Sequence, residues 1–264
     1  MAANLSLVAG GAVAPTGNCA PAKAGAQTAR ERCYRSASDH DENAPSPRRS
    51  WFSSSPPGNW CLPKPIQPTL SELFSGRPRD AGWAGFLLAQ ADGSKPVLWV
   101  QERMAIRESG RIHPPGLPVR DIIHVEARDA RDALWAMEEG LRCPALSCVI
   151  GEIWGDPKAL DFTATRRLAV ASERNGVAAF LIRLGGHANL SGARMRWRIA
   201  SLPSVAHPFD PKAPGTPAWD AELFRARSVP PGRWGVAHDA AAHSFHLVAP
   251  SGDRAVGEDV RLRA

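Results

Sequence analysis

An α/β fold with a mostly parallel sheet and antiparallel strands toward its C-terminal end is what this 264-residue sequence predicts. Three observations predict it. Between residues 70 and 183, apolar runs of strand length alternate with helical patterns, the layout of parallel strands joined by helices. After residue 185 the apolar spacing switches to two, the period of a half-buried strand. Finally, the first apolar run leads through Gly76, a turn-rich loop and Gly82 into an apolar helix.

Each element has its own signal. Strands are expected at 70–74 (LSELF), 97–101 (VLWVQ), 121–125 (DIIHV), 146–152 (LSCVIGE) and 177–183 (VAAFLIR). The clearest helix is DARDALWAMEEG. Asp129 is placed to cap it, Ala130, Leu134 and Met137 form its apolar stripe, and Gly140 is expected as a left-handed stop. A second helix is expected from Asp161 to Arg174, burying Ala164, Leu168 and Ala171 and ending at Asn175-Gly176. In ARMRWRIA, Met195, Trp197 and Ile199 point to one side of a strand, and Arg194, Arg196 and Arg198 to the other. WDAELFRAR, RWGVAH and SFHLVA read as further short strands, and 204–217, rich in proline, reads as a surface loop.

The composition bounds the rest. A hydrophobic content of 44% is enough for a packed core from residue 66 to 264. Residues 1–65 are dominated by Ala, Ser, Pro, Gly and Arg without a sustained period, and are expected to be disordered or to order only on a partner. Trp51, Phe52 and Trp60 are the candidate anchors for such a partner. The net charge of +6 comes mostly from arginine, because lysine occurs only at 23, 64, 95, 158 and 212. Arginine favours bidentate contacts to phosphate or carboxylate, so nucleic acid or an acidic protein face is a plausible partner, and arginine-biased coding would give the same composition. Cys19, Cys33, Cys61, Cys143 and Cys148 contain no C-x-x-C pair, which fits a reducing, cytoplasmic setting and no zinc site. No apolar run is long enough to span a membrane, and the N-terminus lacks the basic region of a signal peptide.

The chemistry of the glycine loop departs from a phosphate-binding loop. A working loop reads G-x-x-x-x-G-K-[ST], its lysine reaching the β- and γ-phosphates and its hydroxyl holding magnesium. Here five residues separate Gly76 from Gly82, and Trp83 and Ala84 stand where lysine and Ser/Thr belong. Pro78 removes one backbone donor from any anion nest. Glu152, at the end of SCVIGE, is the degenerate counterpart of the acidic magnesium residue, or simply a strand-end carboxylate pairing with an arginine. Glu102, after LWVQ, occupies the place of a water-activating acid or is surface charge. His238, Asp239, His243 and His246 cluster in a hairpin, but His243 and His246 fall on opposite faces of a strand and share a metal poorly. Neither G-x-S-x-G nor H-E-x-x-H occurs.

Parallel strands, a degenerate P-loop and then antiparallel strands resemble the RecA-type NTPase core. More closely, ARDALWAMEEGLRC, VIGEIWGDPKALDFTATRRLA, MRWRIASLPS, WDAELFRARSVPPGRW and HDAAAHSFHLVAP, spread over residues 70–250, resemble the ImuA family of RecA-like, SulA-related accessory proteins of damage-inducible mutagenesis. The resemblance implies a non-enzymatic adaptor of the SOS response that needs no cofactor. It would act with a Y-family polymerase-like protein and an error-prone DNA polymerase in translesion synthesis, and contact RecA. The segments corresponding to RecA's DNA loops, WGDPKAL and GGHANLSGA, are too short to wrap a strand, so DNA contact is expected to be weak or indirect. Arg194, Arg196 and Arg198, with Arg225, Arg227 and Arg233 on neighbouring strands, form an arginine face. Three uses stay open for it: a solvated outer face, a docking surface for an acidic partner, or a patch for DNA backbone. Arg166 and Arg167 are expected on a helix surface.

Overall fold

The computed structural model describes residues 4–9, 60–77, 79–90, 94–114, 121–210, 212–239 and 244–248. Among the described residues, ten strands make one sheet: β1 (Asn4–Ala9), β2 (Leu70–Ser75), β3 (Val97–Glu102), β4 (Asp121–Ala127), β5 (Cys148–Trp154), β6 (Ala178–Leu184), β7 (Met195–Val205), β8 (Thr216–Ala226), β9 (Gly232–Asp239) and β10 (Ser244–Leu247). Their spatial order is β1-β4-β3-β5-β6-β2-β7-β8-β9-β10. Strands β4 through β7 of that order are parallel, and β8, β9 and β10 extend the sheet antiparallel from β7. An α/β fold with a mostly parallel, partly antiparallel sheet is therefore present.

Helices cover both faces. α1 (Gly82–Leu88) and α2 (Arg103–Ser109) pack on one face, α3 (Ala130–Gly140) and α4 (Phe162–Asn175) on the other. Burial on two sides explains why β3 and β5 read as near-continuous apolar runs instead of alternating ones. On the α1 side Phe86, fully buried, packs its ring against Trp197, Trp219 and Phe245 at centroid distances of 5.5, 6.1 and 5.5 Å. On the other side Met137, Leu141, Leu168 and Leu181 close the second core.

The helix ends follow the sequence signals, with one exception. Asp129 and Asp161 cap α3 and α4, accepting from Asp132 N at 3.0 Å and Ala164 N at 2.7 Å. Gly176 ends α4 in the left-handed region, with φ 69°. Gly140 does not act as a left-handed stop. It is the last residue of α3, and a β-carbon there would lie 2.2 Å from Leu98 Cδ2, so glycine lets the helix approach the sheet without displacing Leu98.

Two other expectations change. Within the segment expected to lack order, Asn4–Ala9 pairs antiparallel with the β4 edge, while Trp51 and Phe52 lie outside the described residues. Trp60 is no anchor held out for a partner. It packs 6.2 Å from Trp234 beside buried Leu62, so the fold already includes residue 60. The loop expected at 204–217 narrows to 206–215, because β7 and β8 extend into it.

Candidate functional site

The carboxyl ends of the parallel strands, where ligands bind in open α/β sheets, open here into a cleft of about 840 Å³. Ser75 from β2 and Gly76 just after it, Trp99 and Gln101 from β3, Glu152 and Trp154 from β5, and Arg183 and Leu184 from β6 reach it. Arg77, Arg79, Asp80 and Trp83 form one rim and wall, and residues 108–113 the other.

The glycine loop sits at this cleft but is built around its own anion. Asp80 Oδ1 accepts from Gly82 N, the first amide of α1, at 2.8 Å, and from Ser201 Oγ at 2.6 Å; Oδ2 accepts from Ser201 N at 2.7 Å. Burial pushes the Asp80 carboxyl up, but the bonds from Ser201 and Gly82 and the charge of Arg77 outweigh it and hold the pKa below the usual value. A carboxylate thus occupies the helix start that would otherwise attract phosphate. Ser75 Oγ donates to Asp80 O at 2.9 Å and Gly76 N to Ile199 O at 2.6 Å, so the loop is tied at both ends. A β-carbon on Gly82 would lie 2.3 Å from Ser201 Oγ, which explains that glycine without any ligand. Trp83 is buried against Trp99, centroids 6.3 Å apart, where a phosphate loop would carry its lysine. Lys95 is remote from the cleft lining and donates to Pro144 O at 3.0 Å. Asp80→Ala should cost about 1–3 kcal/mol in chemical denaturation, since it leaves two backbone donors unpaired. A change within about 0.5 kcal/mol, the level of an ordinary surface substitution, would mean that the loop does not depend on this carboxylate.

Glu152 forms the floor. It is 2% exposed, and its Oε1 accepts from Trp99 Nε1 at 2.5 Å, while Gln101 Nε2 donates to Oε1 and Oε2 at 3.2 and 3.1 Å. Burial pushes its pKa up to about 7, although the Trp99 and Gln101 bonds pull the other way. Gln101 is the hub of this floor. Its Nε2 also donates to Gly110 O at 3.1 Å, and its Oε1 accepts from Ile112 N at 3.1 Å and lies 3.1 Å from His124 Nε2. One side chain therefore fixes both the acidic floor and the far rim. Glu102 is not among the cleft-lining residues: its Oε2 accepts from Trp154 N at 2.9 Å, and burial raises its pKa.

The arginine face needs correction at Arg196. This residue does alternate away from Trp197, but it is 3% exposed and lies in a buried cluster, not on a surface. Its Nε donates to Glu72 Oε2 at 2.7 Å, Arg183 Nη1 lies 3.7 Å from Glu72 Oε1, and Ser191 Oγ donates to Glu72 Oε1 at 2.8 Å. Arg183 also pairs with Asp156, and Arg183 and Arg196 stack over Phe74 at 5.6 and 5.3 Å. The cause is topological. β6 and β7 flank β2 in parallel, so residues 185–194 cross over β2 without a helix, and the buried Ser191 comes from that crossover. The short GGHANLSGA segment has this structural use.

The other arginines divide into two groups. Arg194 pairs with Glu173 at 2.6 Å, Arg198 with Glu222 at 2.5 Å, and Arg233 with Asp220, its Nε 2.8 Å from Oδ1. Their charges are largely matched, the first by a carboxylate of α4 and the other two by β8. Arg225 and Arg227 are exposed and make no salt bridge with another described residue. Arg166 and Arg167 are exposed as expected, with Arg167 bridged to Glu138 of α3. His243 lies outside the described residues. Cys148 is buried, its thiol pushed up to about 11 by desolvation, and Cys143 is exposed. Among the described residues, no helix is long and apolar enough to cross a membrane.

Sequence reasoning missed the Glu72 cluster, Asp80 and Gln101. A carboxylate in the middle of LSELF and an arginine inside AAFLIRL were the available signals, since charges in doubly covered strands must be paired. The sequence matches no family model and no curated protein. Among solved structures the chain is similar to SulA from Pseudomonas aeruginosa, at 21% identity and a TM-score of 0.31, over 44% of this chain and 98% of that one. A likeness at this level carries nothing about activity.

Proposed function

We propose that this chain is a non-catalytic adaptor of SOS-induced, error-prone translesion synthesis. It works through protein contacts with a Y-family polymerase-like protein, an error-prone DNA polymerase and RecA. The pathway and partners come from the sequence segments that resemble the ImuA family. What supports the role is a parallel core with a glycine turn after β2, followed by antiparallel strands, which is in keeping with the RecA-type resemblance of the sequence. The carrying observation is Asp80 at the start of α1, because a built-in carboxylate takes the amide a phosphate would need. With Trp83 in the lysine position and Asp80 on the first amide of α1, the cleft lacks the loop lysine and the free helix-start amide that grip a triphosphate.

Calorimetric titration of the purified chain with magnesium ATP and ADP tests this. No binding in the micromolar range and no hydrolysis is expected, together with co-purification of the polymerase-like partner when the two are co-expressed. Micromolar ATP binding that disappears in Glu152→Ala would overturn it. That outcome would favour the second reading, a residual ATP-binding or DNA-stimulated ATPase module, for which the size of the cleft speaks. A DNA-binding role predicts retention on single-stranded DNA with a steep salt dependence. Arg225→Ala/Arg227→Ala is the fair probe of it, since Arg196 is structural; little retention and little change are expected.

A further inference from the structure

The cleft carries its charges in an uncommon arrangement. Arg77 and Arg79 stand exposed on the rim and make neither a salt bridge nor a side-chain hydrogen bond with another described residue. Arg111 and His113 stand exposed on the opposite rim, with Arg111 partly engaged by Glu126 at 2.5 Å. Further in, the half-buried Trp154 lines the cleft, Trp83 and Trp99 lie packed on each other and almost covered behind it, and the floor is Glu152. A nucleoside triphosphate bound in the usual sense would put its phosphates beside Asp80, one of the three acidic residues that line the cleft with Glu108 and Glu152. The cleft suits the reverse polarity: an apolar group inside and carboxylates at the mouth.

The loop that displays the arginines is also held in shape. Asp80 fixes it to Ser201 and Gly82, and Arg79 is kept at φ 59°, a conformation that costs a non-glycine residue energy and persists only under such constraints. Rigid presentation lowers the ordering cost of binding. The chain's own tryptophan-phenylalanine pair at 51–52 is flanked by Arg48 and Arg49, which gives it the wrong charge for a basic rim.

We propose that this cleft docks an acidic segment of a partner protein, which lays one aromatic or large aliphatic side chain against the half-buried Trp154 and flanking carboxylates on Arg77 and Arg79. This rests on the adaptor role proposed above and names the surface through which it acts. An aromatic anchor in a pocket is a usual form of an interface hot spot, and rim charges set the salt dependence of its formation.

Random dodecapeptides displayed on phage and selected against the full-length chain test it. Selected sequences are expected to centre an aromatic or aliphatic residue among Asp and Glu. Synthetic versions should lose about tenfold or more in affinity for Arg77→Glu/Arg79→Glu, as loss and reversal of two rim charges implies, and retain it for Arg225→Glu/Arg227→Glu. In spectra of the nitrogen-labelled chain they should shift indole resonances that are assigned to the cleft by Trp83→Phe and Trp154→Phe. Selection of basic or neutral sequences, equal binding to the rim variant, displacement by ATP, or no selection because the chain's own termini or a second copy fill the cleft would each overturn it. The adaptor role has its own readouts in ATP titration and partner co-purification, so the docking site can fail while that role stands.

Discussion

Glu72→Ala should be among the most damaging single substitutions in this protein, costing about 3–5 kcal/mol of folding stability. Glu72 is fully buried, Arg183 and Arg196 are 3% exposed, and the carboxylate is the shared counter-charge of both. Arg183 keeps Asp156, but Arg196 has no other carboxylate among the described ion pairs, and its Nη2 already lacks a hydrogen-bond partner. Its stacking on Phe74 and Phe224 compensates little for a desolvated charge. Denaturant unfolding of Glu72→Ala, Arg196→Met and the double variant Glu72→Leu/Arg196→Met measures the coupling. Each single change should be severe, and the double variant should recover much of the loss, because removing both charges removes the unpaired one. If the double variant equals the sum of the single changes, the ion pair is not what holds β2 to β7.

The pH dependence of stability should carry the mark of Glu152. Its carboxyl holds a proton to about pH 7 in the folded chain, against 4.5 for an ordinary glutamate. Between those values the folded state binds more protons than the unfolded one. Stability attributable to this group therefore falls as pH rises through that window, and the slope vanishes above it. The separation corresponds to roughly 3 kcal/mol. Carboxyls with lowered values, such as Asp80, Asp156 and Glu173, act oppositely and lose their contribution as pH falls. The comparison is therefore made between wild type and Glu152→Gln, by urea unfolding at about pH 5 and about pH 8. Relative to wild type, the variant should gain up to about 3 kcal/mol on going to the higher pH. Parallel behaviour of the two proteins would show that Glu152 is ionised in the folded state at both.

Much of the fold was legible because it is written in local spacing. The five inner strands were placed within a few residues, since burial on both faces forces uninterrupted apolar runs such as VLWV and CVIG. Asp129, Asp161 and Gly176 marked helix ends through bonds and dihedrals that reach only a few residues along the chain. Gly140 misled because the same residue type serves a backbone turn or a close packing contact, and only the position of Leu98 distinguishes them.

The site was legible in its absences and not in its replacements. The sequence by itself determined that Gly76, Gly82 and Trp83 form a loop without the lysine or hydroxyl of a phosphate site, and that Glu102 closes its strand, whereas β5 continues past Glu152 to Trp154. Only the tertiary structure decided that Asp80 fills the anion position through Ser201, more than a hundred residues away, and that Gln101 joins floor to rim. It also turned Arg196 from a surface arginine into the buried partner of Glu72. Strand alternation tells which side of a sheet a residue faces. Whether that side meets water, a helix or a crossing loop depends on strand order, and strand order is set by long-range pairing that no local pattern encodes.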